Sequence, residues 1–357
     1  MTGTMPDMLA HYEVAEAARA RLAEGPLARA LAAEPDAYKV GAQGPDFLFY
    51  AGVWPGQHGR GDLATLVHQH RTNELFRALL AAAAEAPAAE RPIIAAFTCG
   101  CAAHLCLDAG AHTWIQYWTG DVTKPVGAPG AAATRRRHGV FEGSIDVSLA
   151  RRRSRDSGWI RSRRLLEMTP TQTEVVAGVW SAVMRAVHDV TFTPAEGRAA
   201  FRDMAFVYGS MSDPRSPFSR LLAVAAPLTD HDGVIRTQIY PRAPHPVATA
   251  LLAGRRPWRS PWMPDVRRDE TFAEIAATAA VETLRCLEAV EDTLFGAGDP
   301  GELLALIGDR NMVTGLPCED QRPALAFAPD QARLWSIAER AARQGRPRPR
   351  RHAPAGA

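Results

Sequence analysis

The sequence predicts an all-α fold, a bundle of several helices. Three observations lead there. Apolar residues recur at three- and four-residue spacing along most of the chain. Two pairs, Thr169-Pro170 and Thr193-Pro194, combine a hydroxyl cap with proline at the first helical position. Strand-like alternation is weak, with residues 234–240 its best instance.

The first helix is expected over residues 9–22, where Leu9, Val14, Ala17, Ala18 and Leu22 fall close to helical spacing. Residues 74–85 and 92–118 repeat the pattern. Residues 171–190 and 194–208 follow the two Thr-Pro starts, and residues 270–295 and 329–343 close the series. Gly and Pro punctuate residues 41–61, 119–134 and 241–265, which therefore read as loops. Residues 344–357 are rich in Arg and Pro without an apolar face and are expected to be disordered. With no repeat and no low-complexity linker, residues 1–343 are expected to form a single domain.

Composition excludes several classes of protein. The 357 residues carry 41 basic and 39 acidic side chains, a net charge of +2, so bulk charge does not hold this chain on nucleic acid. Only Lys39 and Lys124 are lysines. An apolar fraction of 46% excludes wholesale disorder. Asp7, His11, Glu13 and Glu16 interrupt the N-terminal stretch, so no secretory signal is expected. The most apolar run, residues 93–118, contains His104, Asp108 and His112, and no transmembrane segment is expected. Five cysteines, an odd number, fit reduced thiols and predict a cytoplasmic protein.

The chemistry concentrates in His104-Leu-Cys-Leu-Asp108-Ala-Gly-Ala-His112. Residues four apart on an α-helix differ by about 400°, so each step drifts only about 40° around the axis. His104, Asp108 and His112 therefore share one face. Four residues rise about 6 Å, which separates the two histidines by about 12 Å along an unbroken helix. Zinc–ligand bonds are only about 2 Å long. One ion does not readily hold both histidines, whereas two ions can, with Asp108 shared between them. His138 and Glu142 form a second i, i+4 pair suited to chelating one ion, and Asp146 continues their stripe. His11 lies on the apolar side of the first helix. Asp46 follows Gly44-Pro45 in a turn that can present a carboxylate, and His68 and His70 precede an amphipathic helix. Any one of these residues also reads as a core histidine or a surface pair. Two constellations so close together point instead to a metal site. The rival set, Cys99-X-Cys101-X4-Cys106, is flanked by Ala and Leu and reads as packing.

On these residues the chain resembles the bacterial zinc-dependent phospholipase C family, within the fold shared with S1/P1-type nucleases. The matching elements are Met5-Pro6-Asp7 before His11, Gly44-Pro45-Asp46-Phe47, and His68 ahead of Thr72 and Phe76. They continue with His104-X3-Asp108-X3-His112 and His138-X3-Glu142, in one order over residues 5–150. Trp262-X-Pro264 and the helix after it are similar to the family's C-terminal region. The resemblance implies an all-α bundle whose cleft holds a polynuclear zinc cluster. Asp46, His68, His104 and Asp108 would hold one ion, and His112, His138 and Glu142 a second. His11 would hold a third, with Asp108 reaching across as a bridge. His68 is preferred to His70 by its distance from Thr72. Secreted members complete the third site with an N-terminal Trp that this chain lacks, so two or three Zn2+ ions are implied.

The activity implied is hydrolysis of phosphodiesters. Zinc would offset charge on the phosphoryl oxygens and activate a water, with Asp46 orienting that water or taking its proton. The products would be diacylglycerol and a phosphorylated head group. A phospholipid or another phosphodiester is the expected substrate, with possible peripheral membrane contact. Two other classes stay open: another metal-dependent phosphoesterase, such as a nuclease or a small-metabolite phosphatase, and a non-catalytic helical binding protein that keeps the fold. A nuclease needs base-stacking aromatics and basic surface, and the near-neutral charge predicts no nucleic-acid partner. Arg135 to Arg137 and the arginines of residues 151–164 read first as solvated helix faces and second as surfaces that steer anions or touch a membrane. Trp54, Trp114, Trp118 and Trp262 read as core before they read as a lipid-accepting wall.

Overall fold

A computed structural model describes residues 8–54, 56–125, 127–153, 163–211, 216–221, 240–241, 243–329, 331 and 333–336. Helices dominate. In chain order they are α1 (Met8–Arg19), α2 (Pro26–Ala33), α3 (Pro35–Gly41), α4 (Asp62–Gln69), α5 (Thr72–Glu85), α6 (Arg91–Thr119) and α7 (Ala131–Arg153). There follow α8 (Arg163–Leu166), α9 (Pro170–His188), α10 (Pro194–Met211), α11 (Pro246–Leu252), α12 (Phe272–Phe295) and α13 (Pro300–Ile307). A 3-10 segment, Gly44–Tyr50, lies between α3 and α4. The strands β1 (Trp258–Ser260) and β2 (Met263–Arg268) pair antiparallel, with Trp258 opposite Arg268.

The long amphipathic stretches form helices as expected, and three of them start at a side-chain cap. Thr169 and Gln172 close a reciprocal capping box on α9, and Thr271 and Glu274 do the same on α12. Thr193 and Glu196 exchange equivalent bonds at the start of α10. The proline-rich segments differ from expectation. The 3-10 segment occupies part of 41–61, and α11, β1 and the start of β2 occupy part of 241–265. Proline breaks a helix only from inside; at the first turn it starts one, as Pro26, Pro35, Pro246 and Pro300 do here. Residues 1–7, 154–162, 234–239 and 344–357, with most of 329–343, lie outside the described residues.

Helix α6 is the axis of the bundle. It is buried along almost its whole length and packs against α1, α2, α3, α5, α7, α9 and α12. Its length and apolarity would suffice to cross a membrane, yet 94% of its most apolar window is buried inside the protein, as a core helix requires. Glycine lets α3 press onto it. A Cβ on Gly41 would stand 2.4 Å from the Phe97 carbonyl oxygen, and one on Gly100 would stand 2.4 Å from that of Tyr38. This close approach carries the chain from α3 into the 3-10 segment beside the middle of α6. One continuous hydrophobic core runs from Met8 to Trp335. Trp114 and Trp118 are buried in it, Trp54 packs half-buried against it, and Trp262 is also buried.

Candidate metal centre

Five elements bring the eight residues singled out from sequence to one place. His11 comes from α1, Asp46 from the 3-10 segment and His68 from the last turn of α4. His104, Asp108 and His112 come from α6, and His138 and Glu142 from α7. Seven are buried, and His112 is nearly so. Their donor atoms gather into three groups: His11 with His104 and Asp108, Asp46 with His68 and His104, and His112 with His138 and Glu142. His104 thus belongs to two groups. Asp108 falls in the group with His11 and His104. Its Oδ2 also lies 3.8 Å from His68 Nε2 and 3.6 Å from His112 Nδ1, so one carboxylate touches the surroundings of all three. The four-residue step from Asp108 to His112 still carries His112 Nε2 to 3.4 Å from Glu142 Oε1. His70 is exposed and caps α4, whereas His68 points into the group.

The donor set fits zinc, which takes imidazole nitrogen and carboxylate oxygen at about 2.0–2.2 Å in tetrahedral sites. Two ligands at a tetrahedral angle around such an ion stand roughly 3.3 Å apart. The separations here are 3.1 Å for His68 to Asp46, 3.1 Å for His104 to Asp108, 3.2 Å for His11 to Asp108 and 3.4 Å between the Nε2 atoms of His68 and His104. His138 to Glu142 is shorter, 2.7 Å. His11 Nε2, Asp46 Oδ2, Asp108 Oδ2, His138 Nε2 and both Glu142 oxygens are buried without a hydrogen-bond partner among the described residues. Buried polar atoms left unpaired are costly, and a cation shared among them removes that cost. Backbone carbonyls orient two of the rings: His68 Nδ1 lies 2.7 Å from the Ala64 oxygen, and His112 Nδ1 lies 2.9 Å from the Met312 oxygen. Such bonds fix the tautomer and leave Nε2 for a metal.

Charge already organises the group. Burial would raise the Asp108 carboxyl, but the charges of His104 and His112 and the close approach of the His104 and His11 rings hold it well below the usual carboxylate range. Burial likewise works against Glu142, and His138 and His112 lower it. Burial disfavours charge on His112, yet Asp108 and Glu142 outweigh it and push the imidazole up to about 10. The Asp108 and Glu142 carboxylates are therefore held ionised beside the imidazoles, and this is the field that a divalent cation would enter.

Three supporting features were not legible in the sequence. The loop after α13 clasps two of the four helices that bring histidines to the centre, α4 and α6: the Met312 amide donates to the His68 carbonyl, the Met312 carbonyl meets His112, and Gln116 donates to the Val313 carbonyl. Asp146 does not extend the ligand stripe. It accepts from the Leu9 and Ala10 amides and from the Tyr240 hydroxyl, and so caps α1. Gly44, at φ +52°, backs directly onto His104, where a Cβ would stand 2.4 Å from the imidazole ring. Gly44→Ala is expected to strain the backbone by about 1–2 kcal/mol and to displace the ring. Zinc affinity should fall about tenfold, read by competition with a chromogenic chelator; unaltered affinity would remove Gly44 from the site.

A cavity of about 370 Å³ opens onto the group, lined by Asp46, His68, Asp108, His112 and His138. Phe49, Asp62, Thr65 and Gln69 form one side, and Val122 to Pro125 with Arg135 and Val313 complete it. Trp54, Trp114, Trp118 and Trp262 do not line it, in keeping with their place in or against the packed interior. The five cysteines are free and buried, and none joins a candidate metal group among the described residues.

Comparison with known proteins agrees with this geometry. No curated protein and no solved structure matches the chain. The family model described as zinc-dependent phospholipase C matches residues 10–188, half of the chain, and that span contains all eight clustered residues. The family is one of zinc-dependent phospholipid hydrolases. With five elements converging on donor groups that suit zinc, and with that match over the same residues, the chain belongs to the zinc-dependent phospholipase C family.

Proposed function

We propose that this protein is a phospholipase C, hydrolysing the phosphodiester on its glycerol side to release diacylglycerol and a phosphorylated head group. The observation that carries the reading is the sharing of one cavity by residues from all three donor groups, Asp108 among them. When bound, zinc supplies positive charge for the phosphoryl oxygens and lowers the pKa of a water nucleophile. Asp46 faces both the group and the cavity. Its Oδ1 lies 3.1 Å from His68 Nε2, and its Oδ2 has no hydrogen-bond partner among the described residues. In this reading Asp46 Oδ2 orients the water or accepts its proton. Met312 and Ala64 hold the His112 and His68 rings in place while charge moves across the centre.

The cavity is of a size to take a head group with its phosphate, the acyl chains staying with the membrane surface. Peripheral contact with a bilayer is part of this reading. A nuclease is less well supported, because Phe49 is the one aromatic among the cavity-lining residues and offers no platform for successive bases. The five free cysteines support a cytoplasmic setting. The test uses the full chain loaded with zinc, against phospholipid in mixed micelles. Diacylglycerol release should fall at least 10³-fold on chelation and return with zinc. Zinc-loaded protein that releases no diacylglycerol, yet cleaves a nucleotide or a phosphomonoester, would overturn the reading in favour of another phosphoesterase.

A further inference from the structure

The residues lining the cavity differ in chemistry, and the difference bears on which head group it accepts. Resting on the phospholipase reading above, we infer that the cavity is selective for a head group carrying an anionic group beyond the scissile phosphate, with Lys124 and Arg135 as the residues that recognise it. Both line the cavity. Lys124 is one of only two lysines in the chain. Arg135 is 7% exposed, and its Nη2 donates to the Lys124 carbonyl at 2.5 Å, tying the loop before α7 to the helix. A guanidinium has five N–H donors. The rest of those on Arg135 have no partner among the described residues, so a buried cation with spare donors borders the cavity. Arg135 also lies three residues before His138, on the same face of α7, beside the His112, His138 and Glu142 group.

The alternative is a head group ending in a quaternary ammonium, which is recognised by a cage of aromatic faces. Phe49 alone supplies an aromatic ring to this cavity, and that ring is tilted against His68 at 5.6 Å. Two of the three acidic lining residues are already turned to the donor groups. Asp46 and Asp108 face the histidines. Asp62 stands in the first turn of α4, where its charge complements the helix N-terminus. Guanidinium and ammonium groups bind carboxylate and phosphate through charge-assisted hydrogen bonds, and here they replace the cage.

The test uses the zinc-loaded full chain and dihexanoyl lipids kept monomeric, so that attraction to a charged interface plays no part. Phosphatidylserine and a phosphatidylinositol phosphate are compared with phosphatidylcholine. At least one anionic head group should exceed phosphatidylcholine tenfold in kcat/KM, and Lys124→Gln or Arg135→Gln should cut that ratio at least fivefold through KM. Equal or better turnover of phosphatidylcholine, or a ratio unmoved in both variants, would overturn the selectivity while leaving the phospholipase reading in place. No turnover of any of the three lipids, with zinc content intact, would overturn both.

Discussion

Asp108→Asn should strip the protein of most of its zinc and reduce phospholipid turnover at least 10³-fold. In carboxylate–imidazole contacts among the described residues, no other of the eight approaches so many of the other seven. One oxygen lies 3.2 Å from His11, and the other lies 3.1, 3.6 and 3.8 Å from His104, His112 and His68. The carboxyl is held ionised there despite full burial, since the nearby histidines outweigh the cost of desolvation. Asparagine keeps the shape and one acceptor oxygen but loses the negative charge that lets cations sit on both sides. Elemental mass spectrometry of the purified variant gives the metal count, and far-ultraviolet circular dichroism shows whether the fold persists. A folded variant with the parent's zinc content would mean that Asp108 is no ligand, and the shared-carboxylate arrangement would fall with it.

That carboxylate was legible in the sequence because its geometry is local. His104, Asp108 and His112 lie on one helix, and so do His138 and Glu142, so helical pitch alone places each set on a face. His11, Asp46 and His68 come from three other elements, and no periodicity relates them; only their order in the chain, matched to a family, linked them. The long amphipathic helices were legible for the same local reason. The short ones were not. Helices α2, α3, α11 and α13 span only 7 or 8 residues, too few for a clear apolar period, and each begins at a proline that also reads as punctuation. The clasp at Met312 was invisible because it acts through backbone atoms, which every residue type carries. Gly44 is a milder case. The turn was legible, but the reason for glycine is a ring arriving from α6, sixty residues further along the chain.

Asp146 shows how a residue in a ligand stripe can act on the centre from outside it, and Asp146→Ala is expected to lower the unfolding free energy by about 3–5 kcal/mol. The side chain is fully buried. Its Oδ1 accepts from the Leu9 and Ala10 amides at 3.0 and 3.2 Å, and its Oδ2 accepts from the Tyr240 hydroxyl at 2.7 Å. The first amides of a helix have no partners within it and carry partial positive charge, so a carboxylate there both caps α1 and offsets its dipole. Alanine would leave two amides unsatisfied, each at a cost of about 1–3 kcal/mol, and would remove the acceptor that the Tyr240 hydroxyl uses. Asp146 also follows Glu142 by one turn of α7, so the helix that carries one donor group fixes the helix that carries His11. The effect on metal should therefore be uneven. The ion near His11 should be lost first, while the His112, His138 and Glu142 group keeps its own. Asp146→Asn, which retains an acceptor without the charge, should fall between the parent and the alanine variant in both stability and zinc content. Denaturant unfolding of the zinc-loaded protein and a metal count on the same samples decide the matter. If stability drops while zinc content is unchanged, the cap is structural and α1 does not depend on it for the placement of His11; if neither changes, Asp146 does not cap α1.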